Sequence, residues 1–224
     1  MSASDSPDPV AHQLGLIRDS IERAARTARR EPTSVSLIAV TKTHPAEEIT
    51  GLIAAGQRDF GESRVQEAQA KWPPLIAAQP GVRLHLIGRL QSNKAADAVA
   101  LFDTIHSVDR PSLLDALVAA AVKTGRTPSV YVQVNIGEED QKGGVAIGDL
   151  PGFLARVRSS PLPLAGLMAI PPAGPEPAPY FALLAKLARR HDVSGLSMGM
   201  SGDYETAVML GATVVRVGSA LFED

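Results

Sequence analysis

The sequence contains no cysteine, which excludes disulfides, thiolate metal sites and cysteine nucleophiles together. It also lacks an excess of basic charge: 22 Lys and Arg stand against 24 Asp and Glu, for a formal net charge of −2. Without a basic tail or block, the chain has no phosphate-neutralising surface of the kind that nucleic-acid binding needs. No apolar run approaches the roughly 20 residues that cross a bilayer. The opening, Met1 to Pro9, carries two Asp and two Pro where a signal peptide would have a basic region and an apolar core. A soluble, cytoplasmic protein with neither a membrane nor a nucleic-acid partner is expected. The five histidines, His12, His44, His85, His106 and His191, show neither HExxH nor His-x-His spacing, so no metal site is expected.

What is present is 224 residues at 45% hydrophobic content, enough for one large core and short for two. Residues 1–9 are expected to form a flexible tail and residues 10–224 a single domain. Val10–Arg30 places Leu14, Ile17, Ile21 and Ala24 at helical spacing, which predicts an amphipathic opening helix. Short β-branched runs follow at Val35–Val40, Arg58–Gly61, Leu84–Gly88, Thr104–Val108, Val130–Ile136, Leu164–Met168, Gly195–Met198 and Thr213–Val217. Between them lie Ala/Leu-rich helical stretches near Ala46–Ala55, Ser63–Ala77, Asn93–Leu101, Pro111–Thr124, Asp149–Ser159, Ala178–Arg190 and Asp203–Leu210. Strict alternation predicts a parallel sheet, and eight repeats in this length predict a closed α/β barrel of the TIM type, (β/α)8, with the N-terminal helix added. Pro171–Pro179 has five prolines in nine residues and reads as a stiff loop on the rim after the sixth strand.

Barrels of this type collect function at the C-terminal ends of their strands. Lys42 falls two residues after the first strand, in Ala39-Val-Thr-Lys-Thr-His44, where it can point into the barrel mouth and offer an amine for a Schiff base. A lone lysine at such a place is ordinarily a solvated surface residue, so context decides. Thr213-Val-Val-Arg-Val-Gly-Ser-Ala-Leu221 supplies it: Gly218 and Ser219 can present successive N–H groups to a phosphate, and Arg216 alternates away from Val215 and Val217 towards the mouth. The other reading of Arg216 is a salt bridge within the barrel. Ser201, in Ser197-Met-Gly-Met-Ser-Gly-Asp203, can add its hydroxyl to the same phosphate, with Asp203 capping the next helix. Phosphate-capable loops after strands seven and eight are where this fold often builds such a site. Phe60-Gly-Glu-Ser-Arg-Val-Gln-Glu67 and Ile87-Gly-Arg-Leu-Gln-Ser-Asn-Lys94 suit either ligand contact or helix capping. His85, on a strand, reads as a hydrogen-bonded core residue.

With these residues assembled, the sequence resembles the pyridoxal phosphate homeostasis protein family, from about Val35 to Phe222. The resemblance rests on Ala39-Val-Thr-Lys42, Phe60-Gly-Glu with Val65-Gln-Glu67, His85-Leu-Ile-Gly with Leu90-Gln-Ser-Asn-Lys94, and Gln133-Val-Asn135 with Lys142. It continues through Gly166-Leu-Met-Ala-Ile170, Leu196-Ser-Met-Gly-Met-Ser201 and Val215-Arg-Val-Gly218. It implies a barrel like the N-terminal domain of alanine racemases and pyridoxal 5′-phosphate (PLP) as cofactor. It further implies Lys42 as the Schiff-base lysine, Ser201, Gly218 and Ser219 as phosphate ligands, and Arg216 facing the pyridine nitrogen. A cationic donor there disfavours a proton on that nitrogen and weakens the ring as an electron sink. Ser63 stands where the family usually has Asn, Ser219 replaces the commoner Thr, and Leu221-Phe-Glu-Asp224 replaces a continuation through Phe-Gly, so a short final helix is expected.

The function implied is buffering or delivery of PLP without a dedicated reaction, with PLP-dependent apoenzymes as partners and the chain acting as a monomer. The alternative is an amino-acid racemase-like enzyme on the same fold. Against it, the sequence runs only about seven residues past its last strand, where racemases add a β-rich domain, and a second catalytic base is missing. Of Tyr131, Tyr180 and Tyr204 only Tyr180 is placed in a rim loop. A third alternative is a phosphosugar barrel enzyme without PLP. Lys142, in Glu138-Glu-Asp-Gln-Lys142, is either a second amine that receives the cofactor on its way out or a solvated loop lysine beside acids.

Overall fold

Short β-branched runs bury both faces only when helices cover them, and the computed structural model, which describes residues 9–139 and 141–222, shows that arrangement: a closed parallel barrel wrapped by helices. Its strands are β1 (Ser36–Val40), β2 (Asp59–Glu62), β3 (Arg83–Leu86), β4 (Thr104–Val108), β5 (Ser129–Gln133), β6 (Leu164–Met168), β7 (Leu196–Ser197) and β8 (Val214–Val217). They pair in chain order, and β8 closes on β1 through a register running from Ser36↔Val214 to Ala39↔Val217. The helices are α1 (Pro9–Thr27), α2 (Ala46–Ala54), α3 (Val65–Ala78), α4 (Ala95–Leu101), α5 (Pro111–Thr124), α6 (Leu150–Arg158), α7 (Ala178–Arg190), α8 (Tyr204–Met209) and α9 (Ser219–Phe222). All eight expected strands and the short final helix are present, so the (β/α)8 class expected from the sequence is the observed one.

The differences have local causes. Helix α1 starts at Pro9, the last residue of the expected tail, because proline suits a first helical turn; residues 1–8 lie outside the described residues. It stops at Thr27, short of Arg30, as Arg29 takes a φ of 57°, which no helix accommodates. Strand β5 ends at Gln133 instead of Ile136. Val134 keeps one bridge to Val145, and the chain then turns away through Glu138 at φ 50°. The period-two burial of Val130, Val132, Val134 and Ile136 nevertheless holds, each being 3% exposed or less. The proline-rich rim loop ends at Pro177, and Pro179 sits in the first turn of α7, the one place in a helix where its missing N–H costs nothing.

Two apolar clusters follow from the alternation along the strands. The larger lies between barrel and helices and includes Leu37, Ala39, Phe60, Trp72, Val215 and Val217. The smaller, Ile38, Tyr131, Met168 and Val214, lies inside the barrel. Barrel interiors are usually filled by branched aliphatic layers, but here His85, His106, Ser197 and Arg216 are buried as well and take part of that space. Close packing of loops fixes the rim: a Cβ on Gly88 would stand 2.1 Å from the carbonyl oxygen of Ser63, so the loops after β2 and β3 touch backbone to backbone. Among the described residues no helix is long and apolar enough to cross a membrane.

Candidate functional site

The loop after β1 carries Lys42, which is exposed and lines a cavity of about 540 Å³ at the barrel mouth. That loop is held from outside the barrel. Lys71 Nζ on α3 donates to the carbonyls of Thr41 (2.8 Å) and His44 (3.3 Å) and pairs with Glu62 Oε1 at 2.6 Å. Glu62 ends β2 fully buried, and the same Oε1 accepts from Thr41 Oγ1 (2.8 Å) and Trp72 Nε1 (2.9 Å). Its Oε2 has no hydrogen-bond partner among the described residues. Thr43, next to Lys42, adopts a φ of 71°; a β-branched residue there is strained and persists only where its surroundings impose it. The ring of His44 stacks on Phe222, with centroids 3.6 Å apart, which ties the Lys42 loop to the last helix.

Opposite this loop, the segments after β7 and β8 meet. The backbone N–H groups of Gly218 and Ala220 both point to Ser201 Oγ, at 3.2 and 3.5 Å. Two amides converging on one oxygen form a donor set that suits an anion oxygen. Gly218 has a packing role too, since a Cβ on it would lie 3.2 Å from that of Val40. Ser219 is exposed at the same cavity, whose apolar lining includes Val40, Ile87, Ile170 and Met200. Asp203 was expected to cap α8; instead its Oδ1 turns back to accept from Met200 N at 2.6 Å and braces the loop that presents Ser201.

Arg216 closes the floor of the cavity at 4% exposure. Its Nη1 donates to Ser197 Oγ (2.7 Å) and its Nη2 to the carbonyl of Ala169 (3.2 Å). Neither acceptor is charged, so the salt bridge considered from the sequence is not how this cation is held. Burial, opposed by Asp203 and Tyr131, lowers the guanidinium to about 10, and it stays charged at neutral pH. A buried cation without a carboxylate partner is costly and suits a site that receives an anionic or electron-rich ligand.

All five residues singled out from the sequence, Lys42, Ser201, Arg216, Gly218 and Ser219, therefore line one cavity, together with Ser63 and Gly88. Lys142 lines an adjoining cavity that shares Ile170, Met200 and Gly202 with the first, and it pairs with Glu139 at 2.6 Å. Ser92 lines a separate cavity with Arg89 and Arg110. Tyr180 is not in a rim loop but in the first turn of α7. Tyr131 stacks inside the barrel on His106, with ring centroids 4.4 Å apart, and among the described residues no tyrosine lines the mouth. Sequence reasoning missed the Ala220 amide, the Lys71–Glu62 brace and Ser197; the brace and Ser197 act through partners distant in sequence, which no local pattern signals.

The family model described as alanine racemase, N-terminal domain, matches residues 13–224. The chain is 40% identical over 220 residues to the pyridoxal phosphate homeostasis protein of Pseudomonas aeruginosa, covering 95% of this chain and 94% of that one. Against the protein of the same name from Escherichia coli strain K12 it is 37% identical over 223 residues, 95% of each chain. PipY of Synechococcus elongatus PCC7942, solved with PLP bound, is similar at a TM-score of 0.78 and 42% identity, over 91% of this chain and 99% of PipY. Alanine racemase from Corynebacterium glutamicum shares the fold at a TM-score of 0.68 and 18% identity, the match covering 61% of its length.

Proposed function

Since this chain belongs to the pyridoxal phosphate homeostasis protein family, built on the alanine racemase N-terminal domain, we propose that it binds PLP through Lys42 and buffers or delivers that cofactor. PLP supplies an aldehyde that a primary amine holds as a Schiff base, together with a phosphate and a pyridine nitrogen. The residues of the mouth fit those three groups. Lys42 supplies the amine. Ser201, with the converging amides of Gly218 and Ala220 and the exposed Ser219, supplies the phosphate donors. Arg216, a fixed donor that does not give up its proton at neutral pH, would hold the ring nitrogen and disfavour a proton there.

The single observation that carries the reading is the meeting of Lys42, Ser201, Arg216, Gly218 and Ser219 around one cavity. That the chain acts without a reaction of its own is supported by Arg216, a cationic donor that would weaken the ring as an electron sink. On this reading the chain works as a monomer in the cytoplasm and its protein partners are PLP-dependent apoenzymes.

The test is borohydride reduction of the protein incubated with PLP, followed by peptide mass spectrometry. The adduct is expected on Lys42 and is expected to vanish in Lys42→Ala. Unchanged uptake in Lys42→Ala refutes the reading, and amino-acid racemisation that disappears with Lys42 would favour the enzyme alternative.

A further inference from the structure

A continuous line of hydrogen bonds crosses the barrel interior from one end to the other. At the N-terminal end, Asp59 opens β2 and lines a second cavity of about 350 Å³ with Gln57 and Arg58. Its Oδ1 meets His85 Nε2 at 2.9 Å, His85 Nδ1 meets His106 Nε2 at 3.1 Å, and His106 Nδ1 meets Ser197 Oγ at 2.9 Å. Ser197 then accepts from Arg216 Nη1 at 2.7 Å, in the floor of the mouth. The members come from β2, β3, β4, β7 and β8.

The two ends of this line are chemically fixed. Arg216 can only donate and the Asp59 carboxylate can only accept. A neutral imidazole has one donor and one acceptor nitrogen. Burial first, and then the charge of Arg216, drive the pKa of His106 well below its ordinary value, so its ring is neutral. One ordering runs the same way through every link: Ser197 donates to His106 Nδ1, His106 Nε2–H donates to His85 Nδ1, and His85 Nε2–H donates to Asp59. The charged and titratable neighbours of the line are Arg83, bonded to Asp59; Tyr131, stacked on His106; and Asp203, acting on Arg216.

We propose that Ser197, His106 and His85 hold this ordering and act as positioning residues, a one-way hydrogen-bonded line anchored on Asp59 that fixes the Arg216 guanidinium against the ring nitrogen of the bound cofactor. The proposal rests on PLP occupying the mouth. Its consequence is that Asp59, at the end of the barrel remote from Lys42, controls the electronic setting of a ligand it never touches.

Two variants cut the line at separate places. Asp59→Ala removes the terminal acceptor and frees His106 to place its proton on either nitrogen. Ser197→Ala detaches Arg216 directly. In the ligand-free wild type, ¹⁵N-resolved imidazole spectra are expected to show His106 protonated on Nε2 alone, and Asp59→Ala to show a mixture. With PLP, both variants are expected to keep the Lys42 adduct while the absorbance band shifts and PLP retention weakens by about fivefold, the size of one hydrogen bond. Because one line is cut twice, the double variant is expected to be no weaker than Ser197→Ala alone. A His106 proton on Nδ1 in the wild type, independent effects of the two variants, or an unshifted band in both would overturn the inference. Failure of the wild type to take up PLP would instead overturn the reading of the mouth, and the ligand-free imidazole spectra separate the two failures.

Discussion

Lys71 Nζ lies 2.6 Å from Glu62 Oε1, and from that position its ammonium also reaches the carbonyls of Thr41 and His44 on either side of Lys42. A cation on the outer helix layer thus shapes the loop that presents the amine in the mouth. Lys71→Met leaves a fully buried carboxylate without its counter-ion and is expected to cost about 3–5 kcal/mol. The double variant Glu62→Gln/Lys71→Met is expected to recover part of that loss, since no charge is stranded. Urea unfolding followed by the emission of Trp72, whose indole donates to the same Glu62 oxygen, measures both.

Gly88→Ala probes the rim. The added methyl would stand 2.1 Å from the Ser63 carbonyl oxygen, and backbone cannot swing aside as a side-chain tip does. The expected cost is about 2–3 kcal/mol, read as a fall of several degrees in Tm. Gly148→Ala, with open space around the new atom, is the control and is expected to leave Tm near its starting value.

Acid stability should depend on Asp59. Burial acts to raise its pKa, but hydrogen bonds from His85 and Arg83, together with the Arg83 charge, prevail and hold it at about 2, below the ordinary 3.8. A carboxylate with a lowered folded pKa stabilises the fold fully above its unfolded value and loses that contribution as pH falls towards the folded one. The contribution is therefore complete at neutral pH and fades between about pH 4 and pH 2. Asp59→Ala is expected to be less stable than wild type at neutral pH and to show a shallower decline over that acid window, measured by urea midpoints at each pH.

Lys142→Ala tests whether the second amine serves release. Lys142 lines the cavity next to that of Lys42 and is held by Glu139 and the carbonyl of Pro171. Transfer of PLP to an apoenzyme is expected to slow severalfold while the Lys42 adduct forms as before. An unchanged transfer rate removes Lys142 from the path.

Much of this molecule is legible in its sequence because short β-branched runs with helical stretches between them admit few arrangements. The inward turn of Arg216 follows from its place between Val215 and Val217 on a strand of period two. Strand ends are less legible: past β5 the chain bends at once, with Ile136 N turned back onto the Val134 carbonyl, and α7 begins inside the proline run because its first turn tolerates proline. Contacts across the barrel are not legible at all. His106 and Ser197 are 91 residues apart, and nothing near either announces the other. Lys71 looks like any helix-surface lysine until Glu62 and the Thr41 carbonyl are placed beside it.

Strand β7 is two residues long and keeps register with β8 through the single pair Ser197↔Val214. The seam with the fewest register pairs thus runs through the residue on whose hydroxyl Arg216 leans. Opening of that seam is expected to release the guanidinium from Ser197 and loosen the floor of the mouth. Amide exchange at Leu196 to Met198 is where that opening is to be read.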